Sequence, residues 1–368
     1  MVEREIIRLT TDLISIPSVS NNRTECCHVI DFVHQVFEET NYQLERIEQN
    51  GVHSLIVSKK GGRDFDLVFF GHLDVVPGKK ELFIPKVVED TIFGRGASDM
   101  KGSCAAMIRL FCDNESESFL ENTALVLTTD EEVGGDNGIG HLTREAKLLA
   151  KTVFNPDGGG ILSPALLQKG IYHFRLDAQG SSAHGSRPWK GVSAVLRLQE
   201  DIERIYQLFP LASEGDEEKV SLNLGKIQGG TSANSVPESA YALLDLRFTA
   251  DYSLKDIRDK VSGALTYSSL TELTTGDPVS VSQEDSSLCL LSQILKERGH
   301  DVQYTKNNTG SDARWFTEQG SSILLMLPES TNGHIDDEAV SVKGLVELYE
   351  IMAELAKRHF VWQQTQAA

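Results

Sequence analysis

An α/β protein with an inserted second domain is what this sequence predicts, and three observations carry the prediction. Strand-like and helix-like segments alternate from the start of the chain to about Phe154. From about Gly170 the order becomes strand, helix, strand, strand, helix, strand, and after about Gln283 the first texture returns. At 368 residues the chain exceeds the size at which a single core usually keeps growing. The expected boundaries are 1–169 and 284–368 for a discontinuous larger domain, and 170–283 for a smaller one inserted into it.

Each element rests on its own pattern. Apolar residues recur at helical spacing over 3–13 and 25–40, and strand-like runs follow at 54–58 and 65–71. A second cycle predicts a helix at 102–112, a buried strand at 123–129, a helix at 140–150 and a short strand at 151–154. In the insertion, 172–178 alternates, 192–208 is helical, 221–227 and 240–248 are strand-like, and 254–266 is helical. With 278–282 as the last strand these make a βαββαβ unit. The remainder predicts helices at 288–298 and 342–358 and strands at 302–305 and 323–327. No repeat at a solenoid period is present.

Composition narrows the function. Hydrophobic residues make up 40% of the chain and charged ones 24%, enough apolar side chain for a sizeable core. Disorder is expected only at the tail 364–368, and the acidic stretch Glu214, Asp216, Glu217, Glu218 reads as a solvated loop. A net charge of −19 repels phosphate backbones and anionic headgroups, which excludes nucleic acid and membrane surfaces as partners. An anionic substrate would then need local cations inside its site. Residues 1–13 mix Glu3, Arg4 and Glu5 with apolar residues and form no export signal, and no apolar run nears the roughly 20 residues that span a bilayer. Five cysteines without C-x-x-C spacing (Cys26, Cys27, Cys104, Cys112, Cys289) form neither a disulfide framework nor a thiolate zinc site. A reducing cytoplasm is the expected location.

Chemistry concentrates in four short segments and one late loop, most of them ending a predicted strand or opening a helix. Gly71-His72-Leu73-Asp74-Val75-Val76-Pro77 puts an imidazole and a carboxylate two residues apart at the end of an apolar strand, on one face. His72 could bind a metal while Asp74 holds its second ring nitrogen, a pairing that fixes the tautomer. Gly94-Arg95-Gly96-Ala97-Ser98-Asp99-Met100-Lys101-Gly102 delivers one aspartate just before a helix, and the two oxygens of Asp99 could bridge two cations. In Thr129-Asp130-Glu131-Glu132-Val133-Gly134-Gly135 the adjacent glutamates must point in different directions, so one can ligate while the other meets substrate. Asn155-Pro156-Asp157-Gly158-Gly159 adds a carboxylate, and Gly333-His334 in the loop 331–338 adds a second histidine. Singly, each segment reads as an ordinary turn or solvated pair; together they point to a metal centre.

These segments, in this order, resemble the dinuclear zinc family of acetylornithine deacetylase, succinyl-diaminopimelate desuccinylase, aminoacylase and glutamate carboxypeptidase, along nearly the whole chain. The resemblance implies a zinc-exopeptidase-like catalytic domain, a mixed sheet between helices, with a ferredoxin-like lid and dimerisation domain inserted. It implies two zinc ions per subunit, with cobalt or manganese as substitutes. Asp99 would bridge them, His72 and Asp157 would complete one site, and Glu132 and His334 the other. Glu131 matches the general base and Asp74 the carboxylate behind the histidine. Three segments of the insertion look like the family's lid: 181–188 around His184, 229–237 around Asn234, and 244–248 with Arg247. There the matching histidine and asparagine assist the oxyanion, often across a dimer interface, and the matching arginine grips a substrate carboxylate. Thr309-Gly310-Ser311-Asp312-Ala313-Arg314 looks like a substrate-facing loop, which makes Gly310 and Ser311 substrate-binding candidates.

Physical chemistry supports those roles. Two cations acidify a bridging water and polarise the scissile carbonyl, and a free Glu131 can carry the proton to the departing nitrogen. Cys104 and the nearby serines lack a dedicated base, which disfavours covalent hydrolysis. The expected function is zinc-dependent deacylation of an N-acyl amino acid in amino-acid metabolism, of the deacetylase or desuccinylase kind, by a homodimer. An aspartate at 157, where most deacylases and carboxypeptidases have glutamate, looks instead like the dipeptidase and aminopeptidase branch. The alternatives are therefore a dipeptidase, aminopeptidase or carboxypeptidase of the family, or an inactive metal-binding interaction protein. His28, His34, His53, His141, His173, His300 and His359 read as packing or surface residues.

Overall fold

The computed structural model describes residues 1–214 and 218–367. It divides into two compact units, Met1–Leu166 with Ser280–Asn307 and Ser311–Ala368, and Leu167–Val279 with Asn308–Gly310.

The larger unit is built on a six-stranded mixed sheet whose strands run, edge to edge, Gln43–Gln49, Val52–Ser58, Thr123–Thr128, Asp64–His72, Leu149–Asn155 and Ser322–Leu325. The first two form an antiparallel hairpin, and Thr123–Thr128, Asp64–His72, Leu149–Asn155 and Ser322–Leu325 run parallel to one another. Parallel strands need cover on both faces, which is why Leu-Val-Phe-Phe at 67–70 is continuously apolar. Leu67, Phe69, Leu125 and Phe154 face a core shared with the helices Val2–Ser15, Arg23–Phe37, Gly102–Asp113, Ser286–Glu297 and Val342–Ala367. Phe70 points to the opposite face, where its ring meets Phe316 at 6.1 Å between centroids. Each such buried side chain contributes about 1.5–3 kcal/mol relative to exposure, so the sheet is held from both sides. The parallel strands then end together, and the loops that leave those ends carry the acidic and histidine residues.

The inserted unit is a four-stranded antiparallel sheet in the order Ser221–Gly229, Ser239–Phe248, Gly170–Gln179, Ser268–Gly276. Helices Ala194–Tyr206 and Leu254–Ala264 cover one face, packing on Tyr172, Phe174, Leu176, Leu244, Leu246 and Phe248. A capping box at Ser253 and Asp256 fixes the start of the second helix.

Several elements depart from the sequence prediction. The last strand of this sheet is Ser268–Gly276; the predicted 278–282 segment holds only Val279–Ser280, in another sheet. The helix expected at 140–150 stops at Arg144, because Lys147 takes a left-handed conformation (φ 60°) and Leu149 already belongs to a strand. The strand expected at 302–305 is Thr305–Asn307. Strand Gln43–Gln49 was not predicted. The terminal helix continues to Ala367, so Gln364 and Thr365 of the tail expected to be disordered are helical. Of the acidic stretch, Glu214 and Glu218 are exposed, while Asp216 and Glu217 lie outside the described residues.

Candidate active site

His72 is the last residue of its strand and is fully buried. Its Nδ1 lies 3.0 Å from the main-chain carbonyl of Asp74 and 3.5 Å from the Asp74 carboxylate, which leaves Nε2 aimed at Asp99 Oδ1 (3.0 Å) and Asp157 Oδ2 (4.0 Å). Both the main-chain carbonyl and the carboxylate of Asp74 thus face that nitrogen, the carbonyl the nearer of the two. The carboxylate has further partners. It accepts from Ser20 Oγ at 2.7 Å and from the amides of Glu131 and Glu132 at 3.1 and 3.2 Å. Asp74, itself fully buried, therefore latches the start of the Glu131–Val133 turn.

That turn leaves the Thr123–Thr128 strand and ends on Gly134 and Gly135 (φ 110° and 70°). A Cβ on Gly135 would overlap the carboxylate of Asp312, so the backbone can approach Asp312 only as glycine. Arg314 Nη2 donates to the Gly134 carbonyl at 2.7 Å, and its Nη1 pairs with Asp312 at 3.0 Å. Asp312 and Arg314 are thereby tied to the glutamate turn.

Asp99 sits in a distorted turn after Gly96 (φ 87°), where a side chain would press on Val75 and Lys101 at 2.9 Å. Lys101 Nζ, fully buried, donates to the carbonyls of Leu13 and Ile16 at 2.9 and 2.7 Å, anchoring the turn to the end of the first helix. On its other side Asp99 Oδ2 lies 2.9 Å from His334 Nε2, which is 3.2 Å from Glu132 Oε1. Two triads result, His72/Asp99/Asp157 and Asp99/Glu132/His334, each with one donor atom per residue within 4.8 Å of the others. They share Asp99.

The charges match such a use. Burial pulls the His72 imidazole down, but Asp74 and Asp99 hold it well above its ordinary value. Hydrogen bonds to Asp99 and Glu132 lift His334 to about 10. Burial opposes ionisation of Asp99, yet His334 and His72 keep it well below the usual carboxylate range. Burial and the neighbouring Asp99 push Asp157 up to about 8, and burial with Asp157 raises Glu131 strongly. Crowded carboxylates that resist ionisation together are what divalent cations relieve, and imidazole nitrogen with carboxylate oxygen is a fitting donor set. Thiol chemistry does not compete: Cys104, buried with Sγ 3.2 Å from the His72 carbonyl, is raised to about 12 by burial.

The remaining predicted residues lie in the inserted unit, apart from Ser311. His184 is exposed, with Nδ1 2.8 Å from Ser186 Oγ. Its strand-like segment pairs with that of Asn234: Gly185 N donates to the Asn234 carbonyl at 2.7 Å, and Asn234 Oδ1 accepts from Ser232 Oγ at 2.9 Å. Arg247 is held by Asp245 (2.7 Å) and His173 (3.2 Å), so His173, expected to be inert, shares in orienting it. Gly310 packs beside Ile171, and Ser311 is buried. Sequence reasoning missed Ser20 and gave no role to Arg95, Lys101, Asp312, Arg314 or Glu338.

A strand-end cluster of two imidazoles and shared carboxylates on a mixed α/β sheet defines a metal-dependent hydrolase. Residues 68–358 match Peptidase family M20/M25/M40, and the chain belongs to this family of metallopeptidases and related hydrolases acting on amide bonds. It is 26% identical over 385 residues to a succinyl-diaminopimelate desuccinylase of Helicobacter pylori, with 94% of this chain and 96% of that one covered. Among solved structures it is similar to an M20 family metallo-carboxypeptidase from Sulfolobus solfataricus, with a TM-score of 0.78, 17% identity and 97% and 99% of the two chains covered. It is also similar to aminopeptidase PepT from Bacillus cereus, with a TM-score of 0.77, 18% identity and 97% and 98% covered. At such identities the likeness to the solved structures is one of fold. Among the described residues, no helix is long and apolar enough to cross a membrane.

Proposed function

We propose that this chain hydrolyses the amide bond of an N-acyl amino acid with two divalent cations, zinc in the first instance, held by His72, Asp99 and Asp157 and by Asp99, Glu132 and His334. The observation that carries this reading is the pair of triads sharing Asp99. Bound there, the cations would lower the pKa of water toward 7 and polarise the substrate carbonyl. Glu131 takes the proton released as water attacks the carbonyl carbon, and returns it to the amide nitrogen as the C–N bond breaks, so that a carboxylate and an amine leave. Glu131 belongs to neither triad, so its carboxylate is left to handle the proton. Asp74 orients it by fixing the Glu131 and Glu132 amides.

His184 and Asn234 stabilise the developing oxyanion and Arg247 binds a substrate carboxylate, with Gly310 and Ser311 facing the substrate. All the proposed ligands belong to the larger unit, whereas His184, Asn234 and Arg247 belong to the inserted one. The inserted unit serves also as the homodimer contact. In support, its edge strand Ser221–Gly229 leaves Ile227 exposed, as are Leu196 on its first helix and Trp189 shortly before that helix. Five free thiols suit the cytoplasm.

The relation to a desuccinylase along nearly the whole chain favours deacylation. A second reading, dipeptidase or aminopeptidase, is favoured by aspartate at 157. The test is a panel of N-acetyl and N-succinyl amino acids and free-amino dipeptides, run on the zinc-loaded protein. Turnover of acylated amino acids well above that of dipeptides is the expected result; the reverse order overturns the deacylase reading.

A further inference from the structure

Arg95 and Glu338 form an ion pair with Nη1 and Oε2 2.6 Å apart and side chains only 3% and 1% exposed. A pair this buried is poorly explained by stability, because the cost of removing both charges from water commonly matches their attraction, and apolar residues would pack as well. Its remaining hydrogen bonds all go to the backbone of two ligand-bearing segments. Glu338 Oε1 accepts from the amides of Ser98 and Asp99, both at 3.0 Å. Arg95 Nη1 donates to the carbonyl of Ile335 and Nη2 to that of His334, both at 3.3 Å.

The His334 segment needs such a hold. Asn332 and His334 are left-handed, with φ of 62° and 71°, a conformation that costs a non-glycine residue energy and persists only where its surroundings enforce it. Arg95 grips the carbonyl of His334 itself. Among the described residues, none of the side-chain hydrogen bonds of Arg95 or Glu338 reaches His72 or Asp157.

We infer that Arg95 and Glu338 are positioning residues that set the spacing of Asp99 and His334: the Asp99/Glu132/His334 site, two of whose members they hold, depends on them most, and the His72/Asp99/Asp157 site depends on them only through the shared Asp99. This rests on the proposed use of the triads. Groups that orient ligands in this indirect way are typically worth about 10–100-fold in metal affinity.

The test is titration of the chelator-stripped full chain with zinc against a competing chromophoric chelator, with cobalt absorption as a second readout. Glu338→Gln keeps an oxygen for the Ser98 and Asp99 amides but sets an amide donor against Arg95; Arg95→Lys removes the fork that spans the two carbonyls. Both variants are expected to weaken the Asp99/Glu132/His334 site about 10–100-fold and the other site by less, so that the two binding steps separate and one component of the cobalt spectrum is lost first. An apolar double variant, Arg95→Met with Glu338→Leu, separates positioning from folding, since it restores packing without the backbone grip; it is expected to fold and still weaken the Asp99/Glu132/His334 site. Parent-like binding of two cations by both single variants overturns the inference alone. A parent that binds fewer than two cations overturns the reading of the triads as well.

Discussion

Asp74→Asn is the sharpest probe of how the site is held. Oδ1 of Asp74 accepts from the Glu131 amide, and Oδ2 from the Glu132 amide and Ser20 Oγ. An asparagine side chain has one acceptor oxygen and one NH2 group, so one of the two backbone amides must face a donor. The Ser20 hydroxyl can turn and accept; an amide cannot. A buried amide left without an acceptor costs about 1–3 kcal/mol, and full expression of that loss in the transition state lowers turnover about 5- to 150-fold. Ser20→Ala is the matched control, because it removes one hydrogen bond to the same carboxylate and leaves both amides latched. Urea unfolding should show Asp74→Asn the less stable of the two, because only it orphans a buried amide, and kcat on the best substrate of the panel should fall for Asp74→Asn and stay near that of the unmodified protein for Ser20→Ala, with metal content unchanged in both. Equal kcat losses in the two variants would refute the latch and make Asp74 a stabilising residue only.

Stripping the metals should abolish turnover, and zinc, cobalt or manganese should restore it. Rebinding at pH 7 should release protons, because His334 (about 10) and Asp157 (about 8) hold theirs in the metal-free protein; calorimetry in buffers of different ionisation enthalpy measures this, and no release refutes the ligand assignment. Affinity should accordingly weaken as pH falls. Glu131→Gln should retain both metals and lose activity by orders of magnitude; equal loss of metal would make Glu131 a ligand. His359, 2% exposed and 3.0 Å from Thr152 Oγ1, is lowered by burial from 6.5 to about 4. The unfolded chain binds this proton more tightly, so the stability the neutral ring contributes is complete above pH 6.5 and is lost progressively down to pH 4, by at most about 3 kcal/mol. Denaturation of His359→Gln should lack that increment, and parallel pH profiles of variant and parent would refute it. Co-assembled His184→Ala and Glu131→Gln subunits should recover part of the activity if His184 acts across the dimer; heterodimers as inactive as either parent rule out that arrangement.

Legibility followed burial. The strands 64–72 and 123–128 announce themselves because both faces are covered over most of their length and their sequences are largely apolar, and 149–155 shows only in its buried end 152–155. Strand Gln43–Gln49 escaped because it lies at the sheet edge with polar residues alternating only weakly, and Ser268–Gly276, also an edge, reads Ser-Ser-Leu-Thr-Glu-Leu-Thr-Thr-Gly, which carries little apolar signal. The ferredoxin-like order survived this error because the helix before it, capped by Ser253, was plain. At the site, His72, Glu132 and Asp157 stand out because ligand types sit at or just after strand ends, Asp99 because a glycine-rich turn delivers it just before a helix, and His334 because it follows a glycine in a loop. Ser20, Arg95 and Glu338 do not. They work on amides and carbonyls, groups every residue carries, so nothing in their own identity or spacing marks the contact.

The placement of the insertion also orders events during synthesis. Strand Ser322–Leu325 pairs with Leu149–Asn155 across the whole of 156–321, and Leu345, Leu348, Ile351, Met352 and Leu355 of the last helix complete the larger core. Neither exists until residues 322–355 have been made, after the whole of the insertion. The stretch 167–279, by contrast, is uninterrupted and has its own core. Domains fold as units while the chain emerges. The insertion therefore finishes first, although 166 residues of the other unit precede it. Meanwhile Leu67, Phe69, Leu125 and Phe154 remain uncovered by the helix Val342–Ala367 until that helix has been made, and transiently exposed apolar surface of this kind is what chaperones bind.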